Sequence, residues 1–194
     1  MYENIRIFTA IALSEDARRS ISALVPEWQI NLSFDRWVYP EDWHLTLHFI
    51  GDVPVSSLPL VEEALREACS EQPNPFQLEI NGLGTFGKPD RPSVLWLGLS
   101  SLPEELPRLH EALGNTLADK LGFTPEKRPY GPHVTLARKY TGAAPFQDGL
   151  LSGFNDKLKT NAVSWNVDGI VAYRTHMGRK PMYEEVARVM FPQA

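Results

Sequence analysis

The feature that most constrains this chain is a histidine–threonine pattern that occurs twice, each time in a segment with the alternation of a β-strand. The first segment is Trp43–Gly51, Trp-His-Leu-Thr-Leu-His-Phe-Ile-Gly, and the second is His133–Arg138, His-Val-Thr-Leu-Ala-Arg. Polar and apolar residues alternate in both segments, which is typical of a strand with one buried face. The five histidines and nine threonines of the chain would give roughly 0.2 His-x-Thr triplets by chance, so two triplets indicate a paired site.

The alternation predicts which side chains share a face, because successive residues of a strand point to opposite sides. We expect the polar residues of the first segment on one face: His44, Thr46 and His48. We expect its apolar residues to pack into a core on the other face: Leu45, Leu47 and Phe49. His133 and Thr135 likewise share a face. Each strand then presents an imidazole and a hydroxyl about two residues' rise apart, ~7 Å along the strand.

Composition narrows the class of protein. A chain of 194 residues is long enough for one domain with a sizeable core. Its net charge of −5 argues against non-specific binding of long nucleic acid, although a small phosphate-bearing substrate needs only a local cluster of positive groups. The single cysteine, Cys69, excludes an internal disulfide or a cysteine-based metal site. With no leader pattern and no apolar run of ~18 residues, the chain is expected to be cytoplasmic and to have no membrane segment.

The order of elements predicts two similar halves. We expect helices that begin at Ser14, at Ser56 or Ser57, and along a leucine stripe from Leu102 to Leu121 that Gly122 ends. The other expected strands are Ile5–Leu13, Ser93–Leu99, Val163–Tyr173 and Tyr183–Phe191, and Phe76–Phe86 is expected to be extended. Phe34–Val38 leads through Pro40 into the first motif strand. Each histidine of a motif follows a strand and a helix, which favours two halves that each donate one motif strand to a shared cleft. No low-complexity linker separates the halves, so residues 1–194 are expected to form one domain.

Paired histidines and threonines suit phosphodiester chemistry. The ordinary pKa of histidine, ~6.5, allows one imidazole to accept a proton and another to donate one near neutral pH. Threonine hydroxyls donate well to phosphate oxygens but are poor nucleophiles without an adjacent base. The pattern therefore indicates a phosphodiester held between two imidazoles, with attacking and leaving oxygens in line.

These residues resemble the signature motifs of the two-histidine phosphoesterases, and more narrowly the RNA 2′,3′-cyclic phosphodiesterases, also called the 2′-5′ RNA ligase family. The motifs that carry the resemblance are His44–Leu47 and His133–Leu136. Further similar segments run nearly end to end: Arg6–Phe8, Phe49–Gly51, Gly84–Phe86, Val94–Gly98, Pro132 and Tyr183–Glu184. The resemblance implies a bilobal α+β domain with a pseudo-twofold arrangement, two antiparallel sheets that line a central cleft, helices on the outside, and no metal or other cofactor.

The resemblance also implies a reaction and roles for particular residues. The substrate would be an RNA 3′ end or an oligonucleotide bearing a 2′,3′-cyclic phosphate, which a monomeric enzyme would open to a 2′-phosphate. His133 would be the base that activates water and His44 the acid, although the sequence alone is symmetric in the two histidines. Thr46 and Thr135 would hold the phosphate. Arg138 would touch phosphate or nucleotide, which requires a strand end or a bulge because strict alternation places it opposite His133.

Several alternatives remain open at this stage. Tyr130 is a candidate for stacking on a base. His44 and His48 could suggest a metal pair, but on a strand they lie ~13 Å apart, too far to share one ion. His110 is expected to be an ordinary residue on the flank of its helix. A 2′-5′ RNA ligase and a phosphodiesterase for small cyclic phosphates share the same phosphate chemistry, and a non-catalytic RNA-end-binding module is the alternative from another class.

Overall fold

The computed structural model of the protein describes residues 3–72 and 74–192. Within these residues the chain forms nine strands and four α-helices. The strands are β1 Asn4–Ala12, β2 Phe34–Trp37, β3 His44–Pro54, β4 Phe76–Lys88, β5 Arg91–Leu99, β6 His133–Tyr140, β7 Val163–Val167, β8 Gly169–Thr175 and β9 Tyr183–Met190. The helices are α1 Glu15–Asn31, α2 Leu58–Ser70, α3 Glu105–Leu121 and α4 Gly149–Thr160. The expected α+β class, with antiparallel strands and helices, is confirmed.

All nine strands belong to one sheet, which corrects the expectation of two separate sheets. The strand order is β7-β4-β5-β6-β3-β1-β8-β9, and β2 pairs with β6. The motif strands β3 and β6 lie in the middle of this order and pair with each other at Leu45 and Val134. The order is symmetric about this pair: β1 flanks β3 as β5 flanks β6, and each pair is linked in the chain through a helix. A division into two lobes stays a prediction.

The single strand expected over Val163–Tyr173 is in fact two strands with a break at Asp168. β7 pairs with β4 near one end of the sheet, and β8 pairs with β1 and β9 near the other. Because Val167 and Gly169 are two residues apart in the chain, the sheet must curl until its ends approach each other. Continuous apolar alternation gave no sign of this break. Helix α4 was also not expected, since its sequence has little apolar periodicity; Leu151 and Leu158 are its buried residues.

Most other elements agree with the sequence pattern. Ser14 caps α1, its hydroxyl accepting a hydrogen bond from the backbone N–H of Ala17 at 3.1 Å. Gly122 ends α3 with φ +66°, the left-handed conformation that glycine adopts without strain. Leu102 precedes α3 and is exposed, so the leucine stripe begins at Leu106. No helix in the two described ranges is both long enough and apolar enough to cross a membrane.

The core is one continuous cluster of apolar side chains between the sheet and the helices. Helix α2 packs on β8 and β9, and α3 packs on α2 and β3. The buried apolar residues of these two helices are Val61, Ala64, Leu65, Ala68, Leu106, Leu109, Leu113 and Leu117. Cys69 lies in this core as a free thiol, and burial raises its pKa to about 12. It is therefore an inert structural residue, as expected for a buried cysteine without a charged neighbour.

Gly84 and Gly98 make room for the indole of Trp96 on the sheet. Trp96 is paired with Gly84 on one side and with Thr135 on the other. A Cβ atom at Gly84 would lie 2.3 Å from two ring atoms of Trp96, and a Cβ at Gly98 would lie 2.8 Å from another. The indole thus lies flat over its neighbours, with its ring centroid 6.3 Å from that of His133. Gly84 therefore marks a close approach of a side chain to the backbone of β4.

Replacing Gly84 with alanine should therefore destabilise the protein. The added methyl must displace the Trp96 ring or shift β4, and overpacking of this kind costs about 1–3 kcal/mol. The free energy of unfolding in urea measures the loss. Gly153→Ala in α4 is the matched control, because its Cβ meets nothing within 4 Å and alanine favours the helix by up to about 1 kcal/mol. Equal stabilities of the two variants would contradict the packing described here.

Candidate active site

The two motif strands lie side by side and bring the two His-Thr pairs to one face of the sheet. Leu45 and Val134 are antiparallel partners. Continuing this register by one residue sets His44 across from Thr135, and Thr46 across from His133. Opposed residues have Cβ atoms ~5 Å apart, and diagonal neighbours such as the two histidines lie ~7–8 Å apart. The four side chains therefore surround a space suited to one tetrahedral anion.

Bulges in β3 change the alternation that the sequence predicts. Ala10 pairs with Thr46 but Thr9 pairs with His48, so Leu47 is an extra residue without a partner. The extra residue turns His48 toward the core, where its exposed fraction is 4%, and turns Phe49 outward, where its exposed fraction is 62%. The expected shared face of His44, Thr46 and His48 and the expected buried position of Phe49 are both wrong for this reason. His44 and His48 lie on opposite faces, so they cannot ligate one metal ion.

A similar bulge in β6 brings Arg138 to the face of His44 and His133. Trp96 pairs with Thr135 and Leu95 pairs with Ala137, which leaves Leu136 as the extra residue. Arg138, paired with Val94, therefore shares a face with His133 and Thr135. The bulge that this arginine required to reach the cleft is present. The positive charge of Arg138, which belongs to the second motif, helps to lower the pKa of His44 in the first motif.

Each histidine is oriented by a backbone carbonyl two residues earlier. His44 Nδ1 is 2.7 Å from the carbonyl oxygen of Asp42, and His133 Nδ1 is 2.7 Å from that of Gly131. A carbonyl can only accept, so Nδ1 carries the proton in both rings and donates it. In the neutral ring, Nε2 is then an unprotonated acceptor. Both imidazoles therefore present the same kind of nitrogen for proton transfer.

Asp42 joins the first motif to the far edge of the sheet. It is buried, and its carboxylate accepts hydrogen bonds from the backbone N–H groups of Met182 and Tyr183 at 2.8–3.0 Å. Its carbonyl orients His44, so one residue positions both the imidazole and the start of β9. Sequence reasoning missed Asp42. The only available signal was its place in the acidic turn Pro40–Asp42 immediately before the motif.

The two histidines lie in different surroundings. His44 is enclosed by aromatic rings whose centroids lie 4.6–6.0 Å from its own: Phe8, Tyr173 and Tyr183. Burial is the main cause that lowers the pKa of His44 to about 4, and the charges of His133 and Arg138 add to it. The ring of His133 lies nearly perpendicular to that of the exposed Phe86, with ring centroids 4.9 Å apart. His44 is therefore neutral at pH 7 in the free protein.

A second group of rings supports the bulge of β3 from the opposite face. The ring of His48 stacks on His110 at 4.1 Å between centroids, and His110 stacks on Tyr130 at 3.9 Å. His48 Nε2 donates to the carbonyl of His110 at 2.7 Å. His110 thus supports the site from α3, which is more than the ordinary helix flank that the sequence indicated.

Tyr130 links the two motifs rather than standing free in the cleft. Its hydroxyl donates to the carbonyl oxygen of Thr46 at 3.0 Å, and one face of its ring is covered by His110. Burial raises the pKa of its phenol. Its neighbour Gly131 orients His133, so this short segment fixes Thr46 and His133 relative to each other. Stacking of Tyr130 on a base stays a prediction, and it would use the face of the ring that His110 does not cover.

The sequence of this chain matches one family model and is similar to several named proteins. The sequence model of the 2′-5′ RNA ligase superfamily matches residues 15–179. A protein from Geobacillus stearothermophilus named RNA 2′,3′-cyclic phosphodiesterase is 37% identical over 183 residues, which is 93% of this chain and 55% of the relative. A protein of the same name from Bacillus subtilis is 34% identical over 155 residues, 80% of each chain. This chain thus spans about half the length of the first relative.

Solved structures share the fold. The crystal structure of a phosphoesterase superposes with a TM-score of 0.74 at 26% identity, covering 98% of this chain and 100% of the other. Escherichia coli LigT complexed with 3′-AMP superposes with a TM-score of 0.73 at 26% identity over the same shares. The curled antiparallel sheet with its helices is therefore common to these proteins and this chain.

The lowered pKa values of His44 and His110 predict a loss of stability in acid. Burial lowers the pKa of His110 to about 4 as well, with the neighbouring His48 adding to the shift. The unfolded chain takes up these protons near pH 6.5, whereas the folded protein takes them up only near pH 4. The stabilisation is thus complete above pH 6.5 and falls as the pH drops toward 4, by about 2–3 kcal/mol for His44.

Urea unfolding at pH 7 and pH 4.5 measures this difference. Because carboxylates also titrate in this range, the comparison is between the wild type and the variants His110→Gln and His44→Gln. Each variant should show a smaller loss between the two pH values than the wild type does. An unchanged loss in both variants would mean that neither histidine is held neutral by the fold.

Proposed function

The chain belongs to the 2′-5′ RNA ligase superfamily, and we propose that it hydrolyses the 2′,3′-cyclic phosphate at RNA 3′ ends to a 2′-phosphomonoester. One observation carries this proposal: both motif histidines point Nδ1–H at a backbone carbonyl, which leaves two Nε2 atoms for proton transfer beside two threonine hydroxyls. The name of the relatives from Geobacillus and Bacillus, RNA 2′,3′-cyclic phosphodiesterase, supports a cyclic phosphate on RNA as the substrate. The 3′-AMP bound by the LigT structure is consistent with a nucleotide substrate.

In the proposed reaction the cyclic phosphate lies between the two imidazoles. Water attacks phosphorus, and one Nε2 accepts the proton that the water loses. The bond between phosphorus and the 3′ oxygen breaks on the opposite side, and the other imidazole donates a proton to that oxygen. Thr46 and Thr135 donate hydrogen bonds to the non-bridging oxygens and stabilise the charge that builds up there, and Arg138 contacts the nucleotide beside them. The two imidazoles supply both proton transfers, so the reaction as proposed needs no metal.

The resemblance assigns the base to His133 and the acid to His44, and the burial of His44 sets a condition on this assignment. In the free protein the pKa of His44 is about 4, so its ring is neutral at pH 7. To act as the acid it must become protonated in the complex. A phosphate anion held between the imidazoles supplies the opposite charge that raises the pKa.

The central test is hydrolysis of an oligonucleotide with a 2′,3′-cyclic phosphate in the presence of EDTA, with separation of 2′- and 3′-phosphate products. We expect only the 2′-phosphate. His44→Ala and His133→Ala should each lower kcat by roughly 10²–10⁴-fold, because each removes one proton transfer. His176→Ala is the control and should leave kcat unchanged. His176 follows β8 and pairs with Glu184, so it belongs to neither motif.

Circular dichroism and urea unfolding of each variant establish that the fold survives. Tight binding of the oligonucleotide without turnover by the wild type would favour the RNA-end-binding module. Turnover of small cyclic phosphates alone would favour the alternative phosphodiesterase, and joining of RNA ends in the reverse direction would favour the ligase. Loss of the fold in both alanine variants would mean that these histidines are structural.

The role of His44 can be tested separately by NMR titration of its imidazole. The free protein should show a pKa of about 4, and saturation with the product analogue 2′-AMP should raise it by at least one unit. The same titration of His44 in the variant His133→Gln shows its pKa without the charge of the second imidazole. A pKa that stays near 4 in the complex would make His44 the base and His133 the acid.

A further inference from the structure

Two arginines oppose each other on the face of the sheet that carries the motif histidines. In the pairing of β2 with β6, Arg36 is the partner of Arg138. Partners in an antiparallel pair project to the same side with Cβ atoms ~5 Å apart, so Arg36 shares the face of Arg138, His133 and Thr135. Both arginines are exposed. The sequence indicated a role for Arg138 alone, because the pairing of β2 with β6 could not be foreseen.

Like charges directly opposite each other destabilise a sheet. The two faces of the β2–β6 pair differ in whether such charges are neutralised by a partner of opposite sign. On the opposite face, Lys139 Nζ lies 3.2 Å from the carboxylate of Asp35, an ordinary cross-strand ion pair. In the part of the chain that the structure describes, no carboxylate lies within 4 Å of the guanidinium of Arg36 or Arg138. The pair therefore presents two positive charges that an anion from outside the chain would satisfy.

The location of the pair matches one further position along a nucleotide chain. β2 and β3 lie end to end along the same edge of β6, β3 at Val134 and β2 from Ala137 onward. Because Leu136 is an extra residue in its bulge, Arg138 stands two regular positions from Thr135, ~7 Å along the strand. An anion held by the two arginines would thus lie next to a phosphate held by the threonines, on the same open face.

We propose that Arg36 and Arg138 together bind the phosphodiester immediately 5′ of the terminal cyclic phosphate, so that the site selects the end of an RNA chain over a mononucleoside cyclic phosphate. This inference rests on the proposed function and adds to it a subsite for the phosphodiester that precedes the RNA 3′ end. Two planar guanidiniums can each donate paired hydrogen bonds to a phosphate and divide its charge. The net charge of −5 then does not matter for binding, because the positive potential is local.

The experiment compares adenosine 2′,3′-cyclic phosphate with the dinucleotide ApA bearing the same cyclic end, which adds one internal phosphodiester. The quantity measured is the ratio of kcat/KM for the dinucleotide to kcat/KM for the mononucleoside. We expect the ratio to fall roughly tenfold in Arg36→Gln, through the KM of the dinucleotide, and to recover in part in Arg36→Lys. The dependence of log(kcat/KM) for the dinucleotide on log[salt] should also become less steep, by ~0.7 for one lost contact with a single strand.

Arg66→Gln on α2 is the matched control, an exposed arginine paired with Glu62 that should leave the ratio unchanged. Urea unfolding separates a binding role from a structural one: removing Arg36 relieves repulsion, so the stability of Arg36→Gln should equal or exceed that of the wild type. An unchanged ratio in Arg36→Gln, or a lower stability with both substrates equally impaired, would overturn this inference. Failure of the wild type to hydrolyse either substrate would instead overturn the proposed function.

Discussion

A single antiparallel bridge between Leu45 and Val134 is the contact on which the site depends. It joins the two motif strands in one curled sheet, and it sets the register that places each motif histidine across from the threonine of the other motif. Because both bridge residues are fully buried, a slip of one residue would carry the polar motif side chains into the core. The hydrophobic core therefore enforces the geometry of the polar site.

Matched bulges complete this geometry. Leu47 in β3 and Leu136 in β6 are extra residues at the same position in the two motifs, three after the histidine. Each bulge reverses the alternation, so the fifth residue after the histidine, Phe49 or Arg138, returns to the face of the site. The two motif strands thus use the same kind of bulge to present different side chains. One side offers an aromatic surface and the other offers a cation.

The backbone around the bulge of β3 is held by side chains because the regular ladder is interrupted there. Thr9 Oγ1 accepts a hydrogen bond from the backbone N–H of His48 at 3.1 Å, and Tyr130 donates to the carbonyl of Thr46. Such buried backbone groups must find partners, and here they find them in residues from β1 and from the loop before β6. Asp42 accepts hydrogen bonds from the backbone N–H groups at the start of β9, and its own carbonyl orients His44. Together these contacts hold two histidines that are chemically alike in unlike environments.

Much of the fold and of the candidate site was open to prediction from the sequence. The alternation around His44 and His133 located both motif strands, and caps such as Ser14 and Gly122 located helix ends. These features depend on residues close together in the chain. The bulges did not show in the sequence, because an extra residue in a strand leaves the pattern of residue types unchanged. His48 and Phe49 were therefore assigned to the wrong faces.

The residue types of the site and the strands that carry them follow from local periodicity in the sequence. Which of these residues meet depends on the tertiary structure. It placed Arg36 opposite Arg138, brought Asp42 to the start of β9, and enclosed His44 in aromatic rings from β1, β8 and β9. These outcomes depend on pairing between strands that are distant in the chain, and the free energy of that pairing comes from the shared core rather than from any local segment.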